Sequence, residues 1–172
     1  MSKGRESMEG ENLITDDLRA WIGREMGTYT SEVVTHRDIR RFAQAAGYEH
    51  PLYTDPEYAK DSSYGGVVAP PMFFGILGDD PPEQELSPDG SSVPESVLPF
   101  PPELPRRMAG GNEFEFLLPV RPGDVITARR RVADIVQRQG RSGPLLLTTT
   151  ETEYCNQRGE LVARQHFTYV CR

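Results

Sequence analysis

Between Asn12 and Gly78 the apolar residues recur at spacings of three and four. After Asn112 they tend to alternate with polar ones. The change of period predicts short helices in the first half of the chain and strands in the second. "NLITDDLRAWIGREMG" predicts an amphipathic helix with Leu13, Leu18, Trp21 and Ile22 on its apolar side, Asp16 or Asp17 near its start and Gly27 as its stop. "GTYTSEVV" has the β-branched and aromatic content of a strand. "THRDIRRFAQAAG" is the clearest helix: Thr35 can cap it, Asp38 follows three residues later, and Ile39, Phe42 and Ala46 share a face. Gly47 suits the left-handed residue that ends such a helix. "TDPEYAKDSS" predicts another short helix, with Asp55 as cap and Pro56 at its first position. Pro71 to Leu77 is apolar all round, so a helix there must be buried on every side.

Four strands are expected in "NEFEFLLPV", "DVITARRRVADIVQR", "GPLLLTTTETEYCN" and "ELVARQHFTYVCR", separated by the turn signals "RPGD", "QGRS" and "QRGE". A short helix buried all round needs a sheet wrapped about it. The expected class is therefore α+β, an antiparallel sheet around a central buried helix, the hot-dog arrangement. Residues 79–111 are dense in proline and lack a period, which predicts a long extended loop and not a second domain. The expected organisation is a disordered tail over 1–12 and one domain over 13–172, within the size range of a single core.

Composition narrows the function classes. A hydrophobic fraction of 37% with 26% charged residues suits a globular protein in water. The net charge of -7 argues against nucleic acid as the main partner. No apolar run approaches the roughly 18 residues needed to span a bilayer, and "MSKGRESMEGEN" lacks the apolar core of a signal peptide. A cytoplasmic protein without membrane association is expected. Cys155 and Cys171 lie far apart, as small hydrophobes of a reduced protein. His36, His50 and His166 have neither helical spacing nor cysteine company, so no metal site is expected.

The order of four motifs resembles the MaoC-like (R-specific) enoyl-CoA hydratase/dehydratase family. "FAQAAGYEHPLYTDPEYA" is similar to the family pattern F-A-x-x-S-G-D-x-N-P-x-H-x-D, and "RPGDVITARRRV" to its later P-x-x-x-G-D segment. "VVAPPMFFG" resembles the A-P-P-T-F opening of the central helix in N-terminal, non-catalytic halves. "LPRRMAGGNEFEF" is similar to the region before the sheet in mesaconyl-CoA and methylfumaryl-CoA hydratases. Mycobacterial hydroxyacyl dehydratase subunits are of the same type. The resemblance implies a CoA thioester as substrate, no cofactor, and two hot dogs packed side by side.

The resemblance also shows what is missing. In the family an Asp and a His activate water for addition to a 2-enoyl thioester, while a backbone N–H at the head of the central helix receives the charge developing on the carbonyl. On the frame of Gly47 and Pro51 the catalytic Asp falls on Tyr48, the Asn on His50 and the catalytic His on Tyr53. The second Asp is kept as Asp55. Where active members read H-G-M stand Pro70, Pro71 and Met72, and proline has no N–H. The resemblance thus implies a non-catalytic subunit that shapes a tunnel for a bulky acyl group beside a second MaoC-like chain carrying the Asp/His dyad. Two alternatives stay open: a self-sufficient homodimer with His50 as base and Tyr53 as acid, and an acyl-thioester binding module without turnover. Candidate substrate-binding positions are Gly65, Gly66, Pro71 and Met72, with Ala69 and Gly75 also leaving room beside the helix. Arg106 and Arg107 match CoA phosphates in geometry, and a solvated pair or an interface salt bridge explains them as well.

Overall fold

The computed structural model describes residues 12–77, 101 and 103–172. Residues 1–11 of the expected tail, and 79–100 and 102 of the proline-rich stretch, lie outside the described residues. Ten elements follow in order: α1 (Asp16–Arg19), β1 (Glu25–Thr30), α2 (His36–Ala46), a 3-10 turn (Pro51–Tyr53), α3 (Pro56–Lys60), a second 3-10 turn (Pro71–Ile76), β2 (Arg107–Phe116), β3 (Thr127–Gly140), β4 (Gly143–Cys155) and β5 (Leu161–Cys171). The strands form one antiparallel sheet in the order β1-β3-β4-β5-β2.

The best-defined local structure follows the expected chemistry. Thr35 and Asp38 form a reciprocal capping box at α2, and Gly47 ends it at φ 75° with ψ 23°. Asp55 caps α3 ahead of Pro56. Four expectations need correction. α1 is a single turn capped by Thr15, followed by Gly23 at φ 84°, so Gly27 does not stop a helix but lies inside β1. On α2, Ile39 and Phe42 face the core as expected and Ala43 is buried with them, whereas Ala46 is exposed. The segment after Pro70 is a 3-10 turn that buries only Phe73 and Phe74, leaving Met72 44% and Ile76 55% exposed. Finally β2 begins at Arg107, so 107–111 are strand, five residues inside the stretch expected as loop.

The sheet has two chemically distinct faces. Its concave side carries Ile126, Ala128, Tyr154 and Ala163, which pack on Ile39, Phe73 and Phe74 in one core cluster. A second cluster at the other end joins Leu13 and Leu18 to Val132, Ile135, Leu146 and Cys171. The convex side carries a lateral row across β3, β4, β5 and β2: Arg131, Glu151, His166, Glu113. Arg131 donates to Glu151 at 2.6 and 2.9 Å, and His166 Nε2 donates to the other carboxylate oxygen at 3.0 Å. In the next row Arg164 bridges Glu115 and Glu153, each at 3.2 Å.

Burial alone would raise the pKa of Glu151; the hydrogen bonds and charges of Arg131 and His166 outweigh it and hold the carboxyl below the usual glutamate value. The folded state therefore favours the ionised form. The contribution is complete above the unfolded pKa of about 4.3 and is lost as pH falls through the lower folded value. Glu151→Gln should melt at a lower temperature than the parent at neutral pH, with the gap closing in acid. Parallel melting curves from pH 7 downward would contradict this role for the row.

Candidate functional site

The loop after α2 is organised by aromatic rings. Tyr48 N–H donates to Ala43 O at 2.8 Å as the chain leaves the helix. Its ring stacks on Phe42 at 6.4 Å and meets Tyr53 edge-on at 5.8 Å. His50 lies 6.1 Å from Tyr53 and 5.7 Å from Tyr58, ring to ring. The structure therefore brings Tyr48, His50 and Tyr53 together.

Their environments are those of structural groups. His50 is the N-cap of the 3-10 turn, and its Nδ1 accepts the Leu52 N–H at 3.2 Å. In the neutral ring the proton then resides on Nε2, which leaves no free lone pair to act as a base. Burial, with the neighbouring Tyr48 and Tyr64, pushes the Tyr53 phenol above its ordinary value. Asp55 accepts the N–H groups of Glu57 at 2.9 Å and Tyr58 at 3.3 Å, a helix-capping role.

Tyr53 forms one wall of a cleft of about 230 Å³; Tyr64, Pro70, Pro71, Phe74 and Phe116 form others. Pro70 is buried with φ −64° and ψ 155°, and Pro71 is the first residue of the turn. Two successive positions at the head of the turn thus lack an amide donor. The Phe73 N–H is already bonded to Pro70 O at 2.9 Å. Charge developing on a carbonyl in this cleft would find no donor at residues 70 or 71.

The other candidates divide. Pro71 lines this cleft, whereas Met72 turns toward a second cleft against the sheet. Gly65 adopts φ +66°, a conformation costly for other residues. Gly66 follows, and a Cβ there would meet Arg121 Nη1 at 3.9 Å. The same guanidinium donates to Tyr64 O at 2.8 Å. Arg121 is a cation near the cleft that the sequence reading missed, because it stands 57 residues from Tyr64 in the chain. Arg106 and Arg107 are not brought to the cleft. Arg106 pairs with Arg172 and Arg107 with Cys171, nine residues along β2 from Phe116, or roughly 30 Å.

Residues 20–165 match the family described as FAS1-like, dehydratase domain region. A Thermobifida fusca relative called UPF0336 protein is 33% identical over 84% of this chain and 86% of its own length. A Thermomonospora curvata protein named probable enoyl-CoA hydratase alpha subunit is 30% identical over 93% of this chain, which spans 52% of it. Two solved structures superpose at identities that speak for the fold alone. The ChsH1-ChsH2 complex from Mycobacterium tuberculosis matches at TM-score 0.70 and 16% identity, over 90% of this chain and 88% of that one. A MaoC-like dehydratase from Rhodospirillum rubrum matches at TM-score 0.56 and 23% identity, over 84% and 90%. With a sheet curved about Phe73 and Phe74 and a family match along most of its length, the chain belongs to the FAS1-like dehydratase domain family and has the hot-dog fold of MaoC-like dehydratases.

Proposed function

We propose that this chain is the non-catalytic, tunnel-forming subunit of a heteromeric MaoC-like enoyl-CoA hydratase. Its partner is a second hot-dog chain that carries the intact Asp/His motif and adds water to a 2-enoyl-CoA with a bulky acyl group. One observation carries the reading: Tyr53, Pro70 and Pro71 line the same cleft, so the residue in the family's catalytic His place and the prolines in its amide-donor place occupy one place in space. The employed Nδ1 of His50 and the raised pKa of Tyr53 weaken the rival homodimer, which needs both groups to react. The Thermomonospora relative is named as an alpha subunit, and the mycobacterial structure is a complex of two proteins.

The surface supports a second sheet alongside. β2 is an outer strand of the described sheet. Beside it Phe116, Leu117 and Leu118 are 46%, 45% and 42% exposed. An open strand edge next to apolar side chains is a costly surface unless something covers it.

Co-expression with a MaoC-like chain bearing the complete motif should yield a co-purifying complex that hydrates enoyl-CoA, while this chain alone turns over none. Full-rate hydration by this chain alone would overturn the reading. Within the complex, His50→Ala and Tyr53→Phe should leave the rate unchanged. A working general acid or base contributes roughly 10²–10⁴-fold, so a loss of that size in either variant would establish the homodimer chemistry instead. The phenol can also be read directly. Subtracting the ultraviolet pH titration of Tyr53→Phe from that of the parent should isolate a group ionising above pH ~10; a transition near neutrality would contradict its assignment as inert.

A further inference from the structure

On the far side of Phe74 a second cleft, of about 280 Å³, opens against the concave face of the sheet. Strand alternation places core residues on this face, and β4 has Leu146 near one end and Tyr154 at the other, both buried. Between them stand three threonines, Thr148, Thr150 and Thr152, all buried. The cross-strand neighbours continue the polar floor: Gln165 on β5, Asn112 on β2 and Arg130 on β3 line the cleft with Thr150 and Thr152.

The hydrogen bonds run in one direction. Tyr154 OH donates to Gln165 Oε1 at 2.8 Å, and Gln165 Nε2 donates to Asn112 Oδ1 at 2.9 Å. The Asn112 amide nitrogen, at the end of that chain, still has its N–H groups to give. Arg130 Nε donates to Thr152 Oγ1 at 3.4 Å and adds positive charge to the same floor. A purely hydrocarbon occupant would leave the Asn112 N–H groups unsatisfied. An occupant with acceptor oxygens would satisfy them.

We propose that this cleft receives an oxygen-bearing part of the acyl chain, through a keto, hydroxyl or carboxylate oxygen that accepts from Asn112 and the hydroxyl-lined floor. The proposal rests on the proposed function, in which this subunit shapes the tunnel for the acyl chain while the thioester reacts in the partner. Phe74 lines both clefts, and Asn112 is four residues along β2 from Phe116, roughly 14 Å. A substituent well down the chain is therefore the one recognised, and specificity resides in this subunit and not at the reacting carbons.

The test is calorimetric binding of decanoyl-CoA, 9-oxodecanoyl-CoA and the ω-carboxy analogue to the full chain, with its partner subunit where the two co-purify. At least one oxygenated probe should bind about tenfold more tightly than decanoyl-CoA, the gain expected of one or two well-made hydrogen bonds. A preference shared by the ketone and the carboxylate assigns the recognition to the Asn112 amide. Asn112→Asp keeps the acceptor for Gln165 and removes the free donors. It should cancel the preference for the ketone over decanoyl-CoA, and Thr152→Val, of similar shape, should reduce that preference in the same sense, since the Thr152 hydroxyl accepts from Arg130 and keeps its own proton to give. Equal affinity for all three probes, or a preference untouched by both variants, overturns this proposal and leaves the subunit reading standing. Failure of every acyl-CoA to bind overturns both.

Discussion

Two adjacent phenylalanines organise this molecule. The turn Pro71–Ile76 commits only Phe73 and Phe74 to the interior. Phe74 lies 4.9 Å from Tyr154, 6.2 Å from Phe114 and 5.9 Å from Phe116, which ties the turn to β4 and to the outer strand β2. Phe73 meets Phe42 edge-on at 5.5 Å and thereby holds α2. From Phe42 the rings continue through Tyr48 and Tyr53 to His50 and Tyr58. Each such contact contributes about 0.5–1.5 kcal/mol beyond area burial. The loop that would carry chemistry in a hydratase is thus the outer end of an aromatic chain rooted in the core.

That continuity explains why tyrosines suit this loop. A carboxylate at residue 48 or an imidazole at residue 53 would need polar partners and room for water. A tyrosine at each position extends the packing instead and leaves the loop rigid. Phe74 also sets the division of space, with the proline-headed cleft on one side and the threonine-floored cleft on the other. In the proposed function, a subunit that has given up reaction keeps recognition on the other side of a single ring.

What the sequence made legible was local. The capping box of Thr35 and Asp38, the left-handed Gly47 and the Asp55-Pro56 helix start are decided within a few residues of themselves, and each formed as expected. The alternation of β3, β4 and β5 was legible for the same reason. Features set by distant partners were not. β2 from Arg107 to Gly111 was expected as loop because it ends a proline-dense stretch without a period, yet Gly110 is demanded by the opposite strand: a Cβ there would lie 2.5 Å from Val170 Cγ2. Phe73-Phe74 gave no sign that its neighbours Met72 and Ile76 would stay exposed. In the candidate site, the tyrosines and prolines at the family's acid, base and amide-donor positions were legible as soon as the loop was aligned with the family pattern. Arg121 beside Tyr64 was not, since only the folded chain joins them. The polar floor did leave a trace, three threonines at alternate positions in "TTTET", but alternation alone does not say which face of a strand is inward.

The glycine pair has a consequence of its own. The register of β2 against β5 shifts between Ala109 and Gly111, so Ala109 lies opposite Tyr169 while Asn112, and not Gly111, lies opposite Phe167. The extra residue reverses the parity of everything after it. Parity is what puts Asn112, Phe114 and Phe116 inward and Glu113 and Glu115 outward. Removing a single residue there would turn the strand inside out, with two glutamates driven toward Phe74. Within these ten residues chain length is constrained as tightly as chemistry. Homologues free to change most side chains along β2 should keep its count, or lose the fold.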